Sequence, residues 1–241
     1  MLVPSLPHVK AGAFSRRGRG HSRNDDRFGL FDHRDPTVRF ARRGALYAVA
    51  DGVGSTRDGA AAAEVVIQHL QQFFTSSWHP SENLLVDVVE AADAEVRMTI
   101  GSASTLTGVW MADRVVSIFN VGDSAVFLHR DGQLQRMTPE QKRGGGLSAW
   151  VGMGPSIRHM LFIRRLPIHV GDEYLICSDG VLEALSVQEL GTLLHAHGDA
   201  LLDQVRERLD DRGHGDDATM IQLRVLAEEV APSQLELEPL P

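Results

Sequence analysis

Four separated stretches of this 241-residue chain each place an aspartate where an apolar run meets a Gly-containing turn: AVADGVGS at Asp51-Gly52, VGDSAV at Gly122-Asp123, ICSDGV at Asp179-Gly180 and GDDATMI at Gly215-Asp216. A fifth acidic pair, Asp25-Asp26, stands directly before RFGLF. An aspartate at the mouth of a buried strand is costly unless something offsets its charge. A fold that gathers several such mouths concentrates negative charge and calls for cations. Hard divalent ions meet that need because they take carboxylate oxygens, backbone carbonyls and water, and a glycine after the acid lets its own carbonyl approach the ion. Any one DG or GD pair reads as an ordinary turn; one pattern of apolar strand, acid and glycine in four places points to one shared site.

The rest of the pattern says what carries these acids. ALYAVAD, from Ala45 to Asp51, reads as a buried strand, and the Gly-rich turn from Gly52 to Gly59 leads into a helix. Ala62, Val65, Val66, His69, Leu70 and Phe73 recur at helical spacing, and Leu85, Val88, Val89, Ala92 and Val96 repeat it after Pro80-Ser81. Beyond Gly101 come short β-rich runs, ASTLTGVWM, RVVSIFNV, SAVFLHR and QLQRMT, divided by Asp113-Arg114, Gly122-Asp123 and Asp131-Gly132. They read as an antiparallel meander that MLFIRRLPI and EYLICSD continue. Val187 to His197 and Ala200 to Asp211 read as helices, and Ala218 to Val225 as a final strand. Helices among hairpin-linked strands predict an α+β fold of packed antiparallel sheets with helices outside, since a doubly wound parallel sheet would alternate strand and helix throughout.

Composition removes several function classes. The net charge of -8 repels phosphate backbones, which argues against nucleic-acid binding. The single cysteine, Cys177, excludes an internal disulfide and a cysteine-rich zinc site. No stretch approaches the ~18 uninterrupted apolar residues of a membrane helix, and the start MLVPSLPHVK lacks the pattern of a signal peptide, so a cytoplasmic setting without membrane insertion is expected. One domain spans 12–226, between an N-terminal extension (1–11) and an acidic, Pro-containing tail (227–241) expected to be disordered.

RNDDRFG, YAVADGVGS, the block from ASTLTGVWM to QLQRMT, DEYLICSDGVLEAL and GDDATMIQL follow one another between about Gly12 and Val225. In that order they resemble the metal-dependent Ser/Thr protein phosphatases of type 2C in their compact bacterial form. The resemblance implies an α-β-β-α sandwich with two Mn2+ or Mg2+ ions at one end of the sheets. By position Asp51 would bridge both ions, the Gly52 carbonyl would join one, and Asp179 and Asp216 would complete the other. Asp25 or Asp26 would serve the second ion directly or through water, and Asp123, with Glu183, would match the acids that hold a weaker third ion. The implied chemistry is attack on phosphorus by a metal-activated water, without a protein nucleophile, so Cys177 would be a bystander. The implied substrate is a phosphorylated Ser/Thr protein, a kinase or a kinase target, met by a monomeric enzyme that opposes a bacterial Ser/Thr kinase.

The chain departs from that family in two places. An arginine that grips phosphate ordinarily stands three residues before Asn24, and here the position is His21. Arg19 and Arg23 flank it, so all three are assigned to phosphate binding. Leaving-group protonation would come from His21 as general acid or from a metal-bound water, and His21 is counted with Asp51 and Asp179 as catalytic. After RMTPE only QKRGGG separates the central block from LSAWVGMGP, so the flap beside the site is short and its glycines, Gly144 to Gly146, read as a loose loop. Two rival functions fit the residues less well. A nucleotide-binding turn fails because the third glycine of its pattern falls on Arg57 and no Walker lysine follows. A catalytically weak regulatory module of the same fold is opposed by the intact Asp51, Asp179 and Asp216, charges that a relic has no need to keep.

Overall fold

A computed structural model describes residues 8–227. One sheet runs in the order β1 (His8–Arg16), β12 (Ala218–Leu226), β11 (Glu173–Cys177), β6 (Ala125–Arg130), β7 (Gln133–Arg136). The other runs β10 (Phe162–Pro167), β5 (Val115–Val121), β4 (Leu106–Ala112), β3 (Ala45–Ala50), β2 (Arg27–Phe31), and every pairing is antiparallel. A two-stranded hairpin, β8 (Lys142–Arg143) and β9 (Gly146–Leu147), stands apart.

Three cores stack in layers because the central strands are apolar on both faces. In β3, Tyr47 and Val49 point between the sheets while Leu46, Ala48 and Ala50 face outward. In β11, Tyr174 and Ile176 take the inner face and Leu175 and Cys177 the outer. Leu46, Ala48 and Ala50 are covered by α2 (Gly59–Thr75) and α3 (Glu82–Glu95), whose Val66, Leu70, Phe73, Leu85 and Val89 form one apolar stripe. The outer face of β11 is covered by α5 (Asp179–Ala184), α6 (Val187–His197) and α7 (Leu201–Arg212) through Val181, Leu190, Leu194, Val205 and Leu209. Short helices α1 (Pro36–Ala41) and α4 (Ile157–Met160) complete the set. This is the α-β-β-α sandwich the sequence implied. Local chemistry starts three of the long helices: Asp58 accepts from the Ala61 N–H, Ser81 from the Leu84 N–H, and Ser186 with Glu189 forms a capping box, while α7 begins after Ala200 without a side-chain cap.

Three sequence readings change. The strands from β4 to β7 are not one meander but two hairpins in different sheets: β4 pairs with β5 and β6 with β7, and the chain crosses between sheets at Gly122-Asp123. Strands apolar on both faces do not specify their neighbours, so the sequence left this crossing open. His8 to Ala11, which the sequence placed in the N-terminal extension, are in β1 and pair with Leu226 to Leu223. The loose flap loop is instead the β8–β9 hairpin, turned by Gly144 and Gly145 in the left-handed region. The tail expected to be disordered lies, beyond Ala227, outside the described residues.

Gly122 makes the crossing. Its φ is +110°, and a Cβ there would meet Thr105 Cγ2 at 2.7 Å, within the wall of the candidate site. Gly122→Ala is therefore expected to destabilise the protein by about 1–3 kcal/mol, read as a lower midpoint in urea unfolding. An unchanged midpoint would show that the crossing tolerates a side chain.

Candidate active site

The ladder registers bring the acids together at one end of the sandwich. Arg27 opposes Ala50, so Asp26 and Asp51 emerge side by side from β2 and β3. Cys177 opposes Met220 and the Ser178 N–H donates to the Thr219 carbonyl, so Asp179 leaves β11 beside the Asp216-Asp217 entry to β12. Asp123 reaches the same end from the crossing between sheets. The Asp51 backbone is fixed on both sides: its N–H donates to Thr105 Oγ1 at 3.1 Å, and its carbonyl accepts from the Thr105 N–H at 2.8 Å. Gly52 is buried and has no room for a side chain, since a Cβ there would collide with the Gly59 and Asp25 carbonyls.

A cleft of about 700 Å³ opens over this end, lined among others by Asp51, Gly52, Asp123, Asp179, Glu183 and Asp216. Asp179, Glu183 and Asp216 each offer an oxygen within 4.8 Å of the others. Asp26 stands buried behind the lining. The Ser178 hydroxyl donates to its Oδ2 at 2.8 Å, but its Oδ1 is buried with no partner. Burial pushes Asp26 up to about 7, with the charges of Asp217 and Asp179 adding to it against hydrogen bonds from Thr219 and Ser178. Burial, then repulsion from Asp123, pushes Asp179 up to about 6, and burial with Asp26 and Asp179 holds Asp51 well above the usual carboxylate range. Converging carboxylates that retain protons, and an orphaned buried oxygen, are the marks of a site shaped for hard cations. The residues present fit divalent manganese or magnesium.

The three groups assigned to phosphate part company. His21 lines the cleft; Arg19 and Arg23 do not. Arg19 donates to the Asp210 carbonyl at the end of α7, and Arg23 bridges Asp25 at 2.8 Å and Asp58 at 2.5 Å. Asp25 is thus tied to Arg23 at the back of the site. His21 Nδ1 lies 3.0 Å from Asp217 Oδ2, and Nε2 lies 3.5 Å from Asp216 Oδ1. The hydrogen bond to Asp217, with the fields of Asp217, Asp216 and Asp25, raises the His21 pKa above its usual value despite some burial.

Sequence reasoning passed over two residues. Asp217 is buried and organises the first acidic loop: it accepts from the Gly18 N–H and the Asp25 N–H, each at 2.7 Å, and from His21. Its only sequence signal is adjacency to Asp216, and an acidic doublet does not say which member faces inward. Lys142, on the hairpin, places its ammonium 2.8 Å from Asp123 and 3.5 Å from Asp179. Burial disfavours its charge, but the bond to Asp123 and the two carboxylate fields outweigh that and push it up to about 12.

These shifts set a pH dependence. Above the ordinary carboxylate value of 3.8, the folded chain holds protons that the unfolded chain has released, on Asp179 up to about 6 and on Asp26 up to about 7. Stability of the metal-free protein therefore falls as pH rises through that window. A loss of ~2 kcal/mol between pH 5 and pH 7.5 would lower Tm by about 4–8 °C in a chain of this size. Saturating Mn2+ is expected to flatten the slope. A metal-free Tm that climbs over this range would contradict the assignment.

Comparison with known proteins agrees with this geometry. The family model described as "Protein phosphatase 2C" matches residues 15–218. The serine/threonine phosphatase Stp of Listeria innocua is 25% identical over 214 residues, covering 74% of this chain and 80% of the relative. The catalytic domain of the serine/threonine protein phosphatase PstP, solved in complex with two manganese ions, superposes with a TM-score of 0.72 at 22% identity over 91% of this chain and 99% of that one. A serine/threonine phosphatase of S. agalactiae superposes at 0.78 with 17% identity, over 90% and 100%. With its sandwich, its metal-ready acids and a match across most of its length, the chain belongs to the protein phosphatase 2C family.

Proposed function

We propose that the chain hydrolyses phosphoserine and phosphothreonine esters of proteins at the cleft, as a metal-dependent Ser/Thr phosphatase. The observation that carries this reading is the convergence of Asp51, Asp179 and Asp216 with the unpartnered Asp26 oxygen beneath them. Asp51 and the Gly52 carbonyl would hold two divalent ions, Mn2+ or Mg2+, with Asp179 and Asp216 on one side and Asp26, backed by Asp25, on the other. Bound there, the ions supply Lewis acidity for the phosphoryl oxygens and an activated water for in-line attack. Asp217 orients the His21 ring by accepting from Nδ1, and its charge keeps the ring protonated toward neutral pH. His21 then offers Nε2–H to the leaving serine or threonine oxygen as general acid. The chain has no thiol nucleophile to offer, since burial pushes Cys177 up to about 12 and its side chain packs under α5 to α7.

The open cleft suits a phosphorylated side chain presented on a protein segment, and reversal of a bacterial Ser/Thr kinase is the role that fits. No helix among the described residues is long and apolar enough to cross a membrane. A cytoplasmic monomer acting on a kinase or a kinase target is the setting we favour.

Hydrolysis of p-nitrophenyl phosphate and of a phosphothreonine peptide tests the reaction. Turnover is expected with manganese, absent with EDTA, and reduced at least ~10²-fold in Asp179→Asn. No turnover on either substrate, in protein that binds manganese, would favour a regulatory module instead. His21→Ala separates the acid from the metals: the peptide, whose alkoxide is a poor leaving group, should lose ~10²-fold in kcat, while p-nitrophenyl phosphate loses little. Equal losses on both substrates would remove His21 from the leaving-group role.

A further inference from the structure

Lys142 stands where the acidic cluster otherwise lacks a counter-charge. Six carboxylates, Asp26, Asp51, Asp123, Asp179, Glu183 and Asp216, gather at the cleft, and two divalent ions do not neutralise six negative charges. Asp123 is 5% exposed, and no described arginine or histidine pairs with its carboxylate. The Lys142 ammonium sits 2.8 Å from Asp123 Oδ2 and 3.5 Å from Asp179 Oδ2, so it fills the space between these two acids. The hairpin that carries it is clamped at its base. The Gln141 N–H donates to the Gly122 carbonyl, the Gln141 side chain accepts from the Gly122 N–H at 2.7 Å and donates to the Met160 carbonyl, and the Ser148 N–H donates to the Gln141 carbonyl. Lys142 is thereby held one residue from the loop that supplies Asp123, and Gly145, Gly146 and Leu147 follow it along the cleft wall.

We propose that the Lys142 ammonium is a tethered cation seated between Asp123 and Asp179, which limits this chain to two divalent ions and pins the hairpin to the metal centre. The inference rests on the phosphatase reading, since it concerns the same acids. An ammonium on a clamped hairpin meets these carboxylates at an effective concentration of order mM or higher, which a weakly held free ion does not readily overcome. Being monovalent and bonded through N–H donors, it neutralises Asp123 while leaving Asp179 an oxygen for the metal side. The hairpin's position thus depends on the charge of the centre, and the centre's ion count depends on the hairpin.

Counting bound manganese tests this without reference to turnover. Calorimetric titration, with free Mn2+ followed by electron paramagnetic resonance, should give two ions for the wild type up to millimolar metal. Lys142→Met should add a third, weaker binding event that disappears in Lys142→Met/Asp123→Asn, while Lys142→Arg should stay at two. Amide hydrogen exchange over 142–147 should be at least ~10-fold faster in Lys142→Met. Two ions in both wild type and Lys142→Met would overturn the proposal while leaving the phosphatase reading intact, whereas no manganese binding by the wild type would overturn both. Should Lys142→Met fail to fold by circular dichroism, the wild-type count decides alone: three ions refute the tethered cation.

Discussion

Repulsion among carboxylates held at one end of a sandwich is the constraint to which the rest of this structure answers. Asp26, Asp51 and Asp179 come from three different strand ends, and the ladders behind them do not yield, because Tyr47, Val49, Tyr174, Ile176, Ile221 and Leu223 lock the two sheets face to face. A packed core of that kind holds its geometry against local electrostatic cost. The cost is then met chemically, by retained protons in the metal-free chain and by cations in the loaded one. Function follows from the same arrangement, since acids too crowded to ionise freely are a ready seat for divalent ions.

Around that centre the chain uses neighbouring charges to hold each loop in place. Asp217 gathers two backbone N–H groups and His21, fixing the first acidic loop over β12. Arg23 ties Asp25 to Asp58 at the start of α2, so the loop, the DG turn and the helix form one unit. Lys142 does the same for the hairpin and the sheet crossing. Each contact is a charge-assisted hydrogen bond, and those of Asp217 and of Lys142 with Asp123 have a buried carboxylate, where such bonds are stronger than at an open surface. The acids of the site thus share fixed partners: His21 beside Asp216 and Asp217, Arg23 beside Asp25, and Lys142 between Asp123 and Asp179.

Much of the fold was legible in the sequence because its signals are local. Helices α2 and α3 follow from the helical spacing of their apolar residues, and β3 to β7 from short apolar runs divided by turns. What escaped was non-local. β1 is a weakly apolar edge strand whose identity depends on pairing with β12, 204 residues away at Ser15 and Thr219. The split of β4–β5 and β6–β7 between sheets depends on Gly122, whose backbone turn leaves no mark beyond a glycine.

The site divides along the same line. The sequence by itself determined that Asp51, Asp123, Asp179 and Asp216 sit at strand mouths, because an acid and a glycine that border an apolar run place the acid where strand meets turn. It also determined that Cys177 is core, since its neighbours are apolar on both sides. Only the tertiary structure decided that His21 faces the cleft while Arg19 and Arg23 turn to Asp210, Asp25 and Asp58. It alone chose Asp217 as the inward member of its doublet and brought Lys142 onto Asp123. The physical reason is reach: a strand's end is set by its own residues, whereas the partner of a long charged side chain is set by whichever opposite charge the packing brings within a few ångströms.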